Sequence, residues 1–106
     1  MKPIQTLLVA LFLFAGSAMA QTFTTYTVAD GLISDNVNAM DFDAMGNLWL
    51  GTQGGITMYE LSSQGWISMN TSTDPDLLDD AIMAVEVTST GDIWFGTDFG
   101  ISVYDG

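Results

Sequence analysis

The sequence lacks cysteine and histidine entirely, and Lys2 is its only basic residue. Without cysteine, disulfides and thiolate chemistry are excluded. Beyond residue 2 the side chains that most often act as nucleophile-base pairs or oxyanion clamps are missing too. Paired carboxylates are the catalytic chemistry that remains. The candidate pairs are Asp79 with Asp80 and Asp41 with Glu86. Nothing else in the sequence marks either pair as a site, so we predict neither an enzymatic activity nor a cofactor.

Positive charge is almost absent, and this limits the partners. The chain holds 13 Asp and Glu residues against Lys2 alone, for a formal net charge of −12. Binding phosphates requires Lys or Arg to replace the counterions, so we expect no nucleic-acid partner. Anionic membrane surfaces are disfavoured for the same reason. Because most carboxylates are scattered, the pattern favours a solvated acidic surface over a cation-binding site.

Only one long apolar run is present, at the N-terminus. Lys2 precedes an apolar stretch over residues 7–14, and residues 18–20 (Ala-Met-Ala) supply a small-residue cleavage site. The stretch is shorter than the ~20 residues that span a bilayer, and its layout is that of a secretory signal. We predict a signal peptide over residues 1–20, cleaved after Ala20, a periplasmic or secreted location, and no membrane span in the mature chain.

The sequence is rich in internal repetition. Residues 32–60 and 77–105 align without a gap at an offset of 45. Such a period, within about 40 to 50 residues, is typical of β-propeller blades of four antiparallel strands. The positions identical in both units are Leu32/Leu77, Asp35/Asp80, Ala39/Ala84, Gly46/Gly91, Trp49/Trp94, Gly51/Gly96, Thr52/Thr97, Gly55/Gly100, Ile56/Ile101 and Tyr59/Tyr104. We predict an all-β fold and an incomplete propeller of about two blades, since closed propellers use about 4 to 8.

Within each unit, short apolar runs separated by glycine predict strands. These runs cover residues 37–43, 47–52 and 56–59 in the first unit and 82–88, 92–97 and 101–104 in the second. They are rich in β-branched and aromatic residues, which disfavours helix. Further strands are predicted at residues 23–26 and 65–69. The predicted organisation is an N-terminal strand segment (21–31), a first blade (32–70) and a second blade that lacks its fourth strand (71–106).

The shared residues resemble the two-component regulator propeller repeat. They read as glycine, Trp between aliphatic or aromatic residues, Gly-Thr, Gly-Ile, and then Tyr beside an acid. The resemblance implies large, commonly seven-bladed propellers in periplasmic sensor regions or other secreted proteins, with glycans as a recurrent ligand class. The acid usual before the first turn is Asp43 in the first unit but Thr88 in the second. We therefore expect this position to stabilise the turn by accepting a backbone hydrogen bond.

Three of the shared positions are expected to serve packing. They are occupied in the two units by Trp49 and Trp94, by Gly51 and Gly96, and by Thr52 and Thr97. The tryptophans are predicted to pack between blades. The glycines are predicted to allow a close backbone approach, and the threonines to bond to the neighbouring hairpin.

Positions that differ between the units are the candidates for ligand binding. Propellers usually bind ligands on the face formed by the loops between second and third strands and by the linkers between blades. Here that face would carry Gln53, Asp98 and Phe99, beside linkers over residues 29–36 and 70–80. Amide and carboxylate groups suit sugar hydroxyls, and Phe99 offers an apolar platform. We predict a carbohydrate or another small ligand at these three residues.

A calcium site is the alternative considered for the acidic residues. Residues 41–46 begin like an EF-hand loop, but Met45 fills the fifth position and Thr52 the twelfth, so the match fails. The densest acidic cluster lies beside Pro75 in a predicted loop and consists of Asp74, Asp76, Asp79 and Asp80. We predict no metal site.

The role predicted from these features is an extracytoplasmic propeller segment of a ligand-sensing regulator or secreted protein, with a ligand and further blades as partners. Two alternatives remain: a structural repeat without a ligand, and a two-bladed, lectin-like protomer whose copies assemble into a closed propeller. One strand precedes the first unit, and the second unit is one strand short. Because this count fits a piece of a longer protein as well as self-assembly, it leaves both open.

Overall fold

The computed structural model describes residues 21–105, and the predicted signal peptide lies outside this range. The chain forms two antiparallel sheets in which each strand pairs with the next. The first has the order β1-β2-β3-β4, made by Val37–Phe42, Leu48–Thr52, Gly55–Glu60 and Gly65–Met69; the second has the order β5-β6-β7, made by Ile82–Val87, Ile93–Thr97 and Gly100–Tyr104. The predicted all-β fold is confirmed. Among the described residues, no helix is long and apolar enough to cross a membrane.

Both sheets turn from their first to their second strand around a glycine. Gly46 has φ +85° and Gly91 has φ +93°, a region that residues with a Cβ rarely occupy. In each turn the residue three positions earlier accepts from the glycine N–H, at 3.1 Å from Asp43 and 3.0 Å from Thr88. The glycine spacing read from the sequence therefore fixes both turns.

Thr52 and Thr97 close the hairpins between second and third strands. The Thr52 hydroxyl donates to the Gly55 carbonyl at 2.8 Å and accepts from the Gly54 N–H at 3.1 Å. Thr97 makes the same two bonds at 2.9 and 3.1 Å. Each threonine thus binds its own hairpin, and the prediction of a bond to the neighbouring hairpin was wrong. The reason is distance: the turn begins at the next residue, within reach of a short hydroxyl side chain.

The N-terminal segment differs from its prediction. Residues 23–26 form no strand, and Val28–Asp30 is a single 3₁₀ turn capped by Thr27. A strand needs a partner for its N–H and C=O groups, and none of the seven described strands pairs with this segment. The Tyr26 ring instead packs on Trp66, with centroids 5.4 Å apart.

An aspartate at the same repeat position in both units holds the segment that leads into each sheet. Asp35 Oδ1 accepts from the Val28 N–H at 2.8 Å, and Asp80 Oδ1 accepts from the Thr71 N–H at 2.7 Å. The first bond spans seven residues and the second nine. The extra two residues of the second linker are therefore accommodated inside a loop whose closing bond is the same in both units.

The main hydrophobic core lies between the two sheets. Its buried members are Trp49, Ile56, Leu77, Ile82, Ile93 and Phe95. Trp49 is 4% exposed and packs against Phe95 and Tyr104, with ring centroids 6.2 and 5.3 Å away. Its predicted position between blades is confirmed. Trp94, at the matching position, is 44% exposed, because no described sheet covers that side of the second unit.

Candidate functional site

The turns between second and third strands lie at the same end of the sheets as the two linkers. The Gln53 N–H donates to the Asn36 carbonyl at 3.1 Å, and Gly54 packs so closely that an added Cβ would lie 3.3 Å from the Ile33 carbonyl oxygen. In the second unit, a Cβ on Gly100 would lie 3.0 Å from Leu78 Cδ2. Each hairpin therefore packs against the linker that leads into its own sheet.

The three predicted ligand residues are all exposed at this end. Phe99 is 76% exposed, and Gln53 and Asp98 are exposed as well. Within residues 21–105, no hydrogen bond is formed by the side chain of Gln53 or of Asp98. None of the three lines the cavity between the sheets or the groove on the outer side of the first sheet. The structure thus presents them on one end, with side chains free to meet a ligand, but does not gather them into a pocket.

A cavity of about 260 Å³ lies between the sheets, next to the second linker. Its floor is apolar and includes Ile56, Leu77 and Phe95, while Asp74 and Asp76 stand among its lining residues. It is smaller than the ~300 Å³ at which drug-sized sites begin. Sequence reasoning did not identify this cavity, although it singled out the acidic linker that borders it.

Three of the four carboxylates of the acidic linker are engaged in hydrogen bonds within the linker. Asp79 Oδ1 accepts from the Asp80 N–H at 2.8 Å, and Asp74 Oδ2 accepts from the Thr73 hydroxyl at 3.3 Å. Asp80 holds the linker as described above. In the part of the chain that the structure describes, no three acidic side chains converge into a group that could hold a metal ion. The arrangement is that of a loop fastened by its own side chains.

Asp41, one of the carboxylates considered for catalysis, joins the two sheets. Its Oδ1 accepts from the Phe42 N–H and its Oδ2 from the Val87 N–H in β5, both at 2.9 Å. Nearby, Asn38 Nδ2 donates to the Ile82 carbonyl of β5 at 2.9 Å. We call this contact between the two sheets the seam, and the sequence analysis did not predict it. Its signal was an acid at the same repeat position in both units, Asp41 and Glu86.

Asp43 stabilises the first turn, as predicted. Its Oδ1 accepts from the Met45 and Asn47 N–H groups, each at 2.9 Å, and its Oδ2 accepts from the Trp49 indole at 3.0 Å. Burial raises the pKa of Asp43, but the hydrogen bonds from the indole and the two backbone groups outweigh it and leave the pKa below its ordinary value. In the second unit, the Thr88 hydroxyl donates to a backbone carbonyl of its turn, contrary to the predicted accepting role.

Comparison with known proteins places this geometry in a family context. Residues 31–54 match the family model described as two component regulator propeller, whereas no curated protein matches the sequence. Among solved structures, 14 chains match. One is the extracellular domain of the hybrid two component system BT3049 of B. thetaiotaomicron, with a TM-score of 0.67 and 21% identity over 82% of this chain.

Two further matches are structures of the extracellular domain of BT4673 from the same organism, described once as a one component and once as a hybrid two component system. Their TM-scores are 0.56 and 0.54, with 24% and 26% identity over 69% and 66% of this chain. The chain spans only 12%, 11% and 10% of these three structures. The shared fold shows a partial propeller, in which residues 31–54 match the two component regulator propeller repeat.

Proposed function

We propose that the chain is an extracytoplasmic propeller segment of a regulator that senses a ligand, and that the ligand is a carbohydrate. The observation that carries the proposal is Phe99, an aromatic ring that is 76% exposed in a turn held by Thr97. An exposed, positioned aromatic ring suits the apolar face of a sugar. Asp98 beside it, and Gln53 in the matching turn, supply groups for hydroxyls. The signal-like residues 1–20 and the extracellular relatives support the location.

The charge distribution narrows the ligand class. Beyond Lys2 the chain offers carboxylates and no basic side chain, so a sulfated or uronic-acid sugar would meet only like charge. The proposed ligand is therefore a neutral glycan. If the segment belongs to a sensor, such binding transmits a signal only through different affinities for two arrangements of the whole protein. No catalytic step forms part of the proposal.

A carbohydrate array probed with residues 21–106 tests this proposal. We expect saturable binding to neutral glycans and none to sulfated ones. Phe99→Ala should weaken binding at least tenfold, because the platform is lost, and Asp98→Ala should weaken it less. Met45→Ala is the matched control, since Met45 is 81% exposed in the turn at the opposite end of the sheet. Absence of binding in every oligomeric state, or an equal loss in the control, would contradict the proposal.

A purely structural repeat is the second candidate. It is favoured by the identical residues of the two units, several of which close turns, fasten linkers or pack in the core. Under this alternative no glycan binds, and the segment depends on adjoining sheets for stability. The array separates the two candidates directly.

A further inference from the structure

The seam between the two sheets pairs two different kinds of face. We call the side of a sheet that receives the following sheet its leading face, and the opposite side its trailing face. The leading face of the first sheet carries Trp49 and Gly51, and a Cβ on Gly51 would lie 2.5 Å from Ile82 Cγ2. The trailing face of the second sheet supplies the other half of the seam. Its residues are Leu77, Ile82, Val85, Ile93 and Phe95.

The leading face of the second sheet is uncovered in the described chain. Ile101 is 62% exposed, whereas Ile56, its equivalent in the first unit, is 3% exposed. Trp94 and Val103 are exposed in the same way. Glu86 is exposed at the position that Asp41 uses to reach the next sheet. The second unit therefore repeats the side chains of a seam without the sheet that would cover them.

The trailing face of the first sheet is only partly open, since Leu32 and Leu50 are buried there and Tyr26 and Trp66 also line its groove. A groove of about 210 Å³ lies along it, lined almost entirely by apolar surface. Five of its lining residues stand 45 positions before the five trailing residues of the second sheet, and these are Leu32, Val37, Met40, Leu48 and Leu50. Met40 and Val37 are exposed there. One chain thus presents both halves of the seam that it forms internally.

We propose that the leading face of the second sheet docks on the trailing face of the first sheet in a second copy of this chain. Each face repeats one half of an interface already formed within the chain, so shape and apolar character match. Glu86 would occupy the place of Asp41 at this contact and would face Phe42 of the second copy, the equivalent of Val87. The contact is head-to-tail, and repetition of it builds a ring or an open array.

Electrostatics gives this interface an unusual salt dependence. The side chains of residues 21–105 carry negative charges and no positive ones, so two copies repel one another. The docking faces are mainly apolar and contain no ion pair. Salt screens the repulsion between exposed carboxylates while leaving apolar burial intact. Association therefore strengthens as salt is raised, whereas an interface built on salt bridges would weaken.

Light-scattering mass of residues 21–106, measured over protein and NaCl concentration, tests the proposal without any carbohydrate. Its failure is therefore separate from that of the proposed ligand. We expect a mass above one chain that rises with both concentrations. Ile101→Asp blocks the leading face and Met40→Asp the trailing face, and each alone should reduce the mass to one chain with an unchanged far-UV circular dichroism spectrum. Met45→Asp, outside both faces, should leave the wild-type mass.

Mixing the two blocked variants tests the head-to-tail geometry itself. Ile101→Asp keeps an intact trailing face and Met40→Asp an intact leading face, so the mixture has one usable interface. We expect a species of two chains and nothing larger. A one-chain mass for the wild type at every salt concentration would overturn the proposal. So would oligomers that persist in Ile101→Asp or are equally lost in Met45→Asp.

Discussion

Replacing Trp49 by alanine is expected to lower the free energy of unfolding by about 3–5 kcal/mol, because the indole is buried between the sheets. It packs against Phe95 and Tyr104 and donates to Asp43. Trp94→Ala removes the same side chain from the matching position in the second unit. Since that indole is 44% exposed, its loss should cost less than ~1 kcal/mol.

Urea unfolding of residues 21–106 at low salt and low protein concentration measures both losses, since association would bury Trp94. Trp49→Phe keeps a ring between the sheets but removes the hydrogen bond to Asp43, and it should fall between the wild type and Trp49→Ala. This milder variant provides a measurement where the alanine variant does not fold. Equal losses at the two tryptophans would contradict the asymmetry between a covered and an uncovered sheet.

Gly51→Ala is expected to destabilise the chain by about 1–3 kcal/mol through overpacking. The added Cβ would lie 2.5 Å from Ile82 Cγ2 and 2.8 Å from Val85 Cγ2. Ile82 is fully buried and has no room to move, so the second sheet must shift. The effect arises between sheets and not within a strand.

Gly96→Ala is the matched control, because Gly96 occupies the same repeat position. Its added Cβ would lie 3.3 Å from Ala84 Cβ on the paired strand of the same sheet. We expect its stability to stay within ~1 kcal/mol of the wild type. Denaturant midpoints for the two variants decide the matter, and similar losses would mean that the glycines serve the strands alone.

The internal repeat made most of the fold predictable from the sequence. The 45-residue offset, the glycines at 46 and 91, and the short apolar runs predicted both sheets, because local patterning decides strands and turns. The prediction of a strand at residues 23–26 was wrong for a physical reason. Pattern shows that a segment can be extended, but only a paired neighbour makes it a strand, and the described residues offer none.

The seam and the cavity could not be predicted in the same way. Asp41 and Val87 are 46 residues apart, and the sequence shows an acid without showing which N–H it will meet. The cavity next to Asp74 depends on the path of a linker that is stabilised by its own hydrogen bonds. For Gln53, Asp98 and Phe99, the structure shows exposure at one end, and their ligand role stays a prediction.

Amide hydrogen exchange of Val87, followed by NMR in residues 21–106 and in the Asp41→Ala variant, tests most directly whether the two sheets pack as propeller neighbours. β5 has a strand partner only on its β6 side, and the Val87 N–H bonds across the seam to Asp41 at 2.9 Å. We expect slow exchange in the wild type, at least tenfold faster exchange in Asp41→Ala, and no change at the Phe95 amide in the central strand β6. Fast exchange of Val87 in the wild type, or a rate indifferent to Asp41, would contradict the inter-sheet seam on which this account of the chain depends.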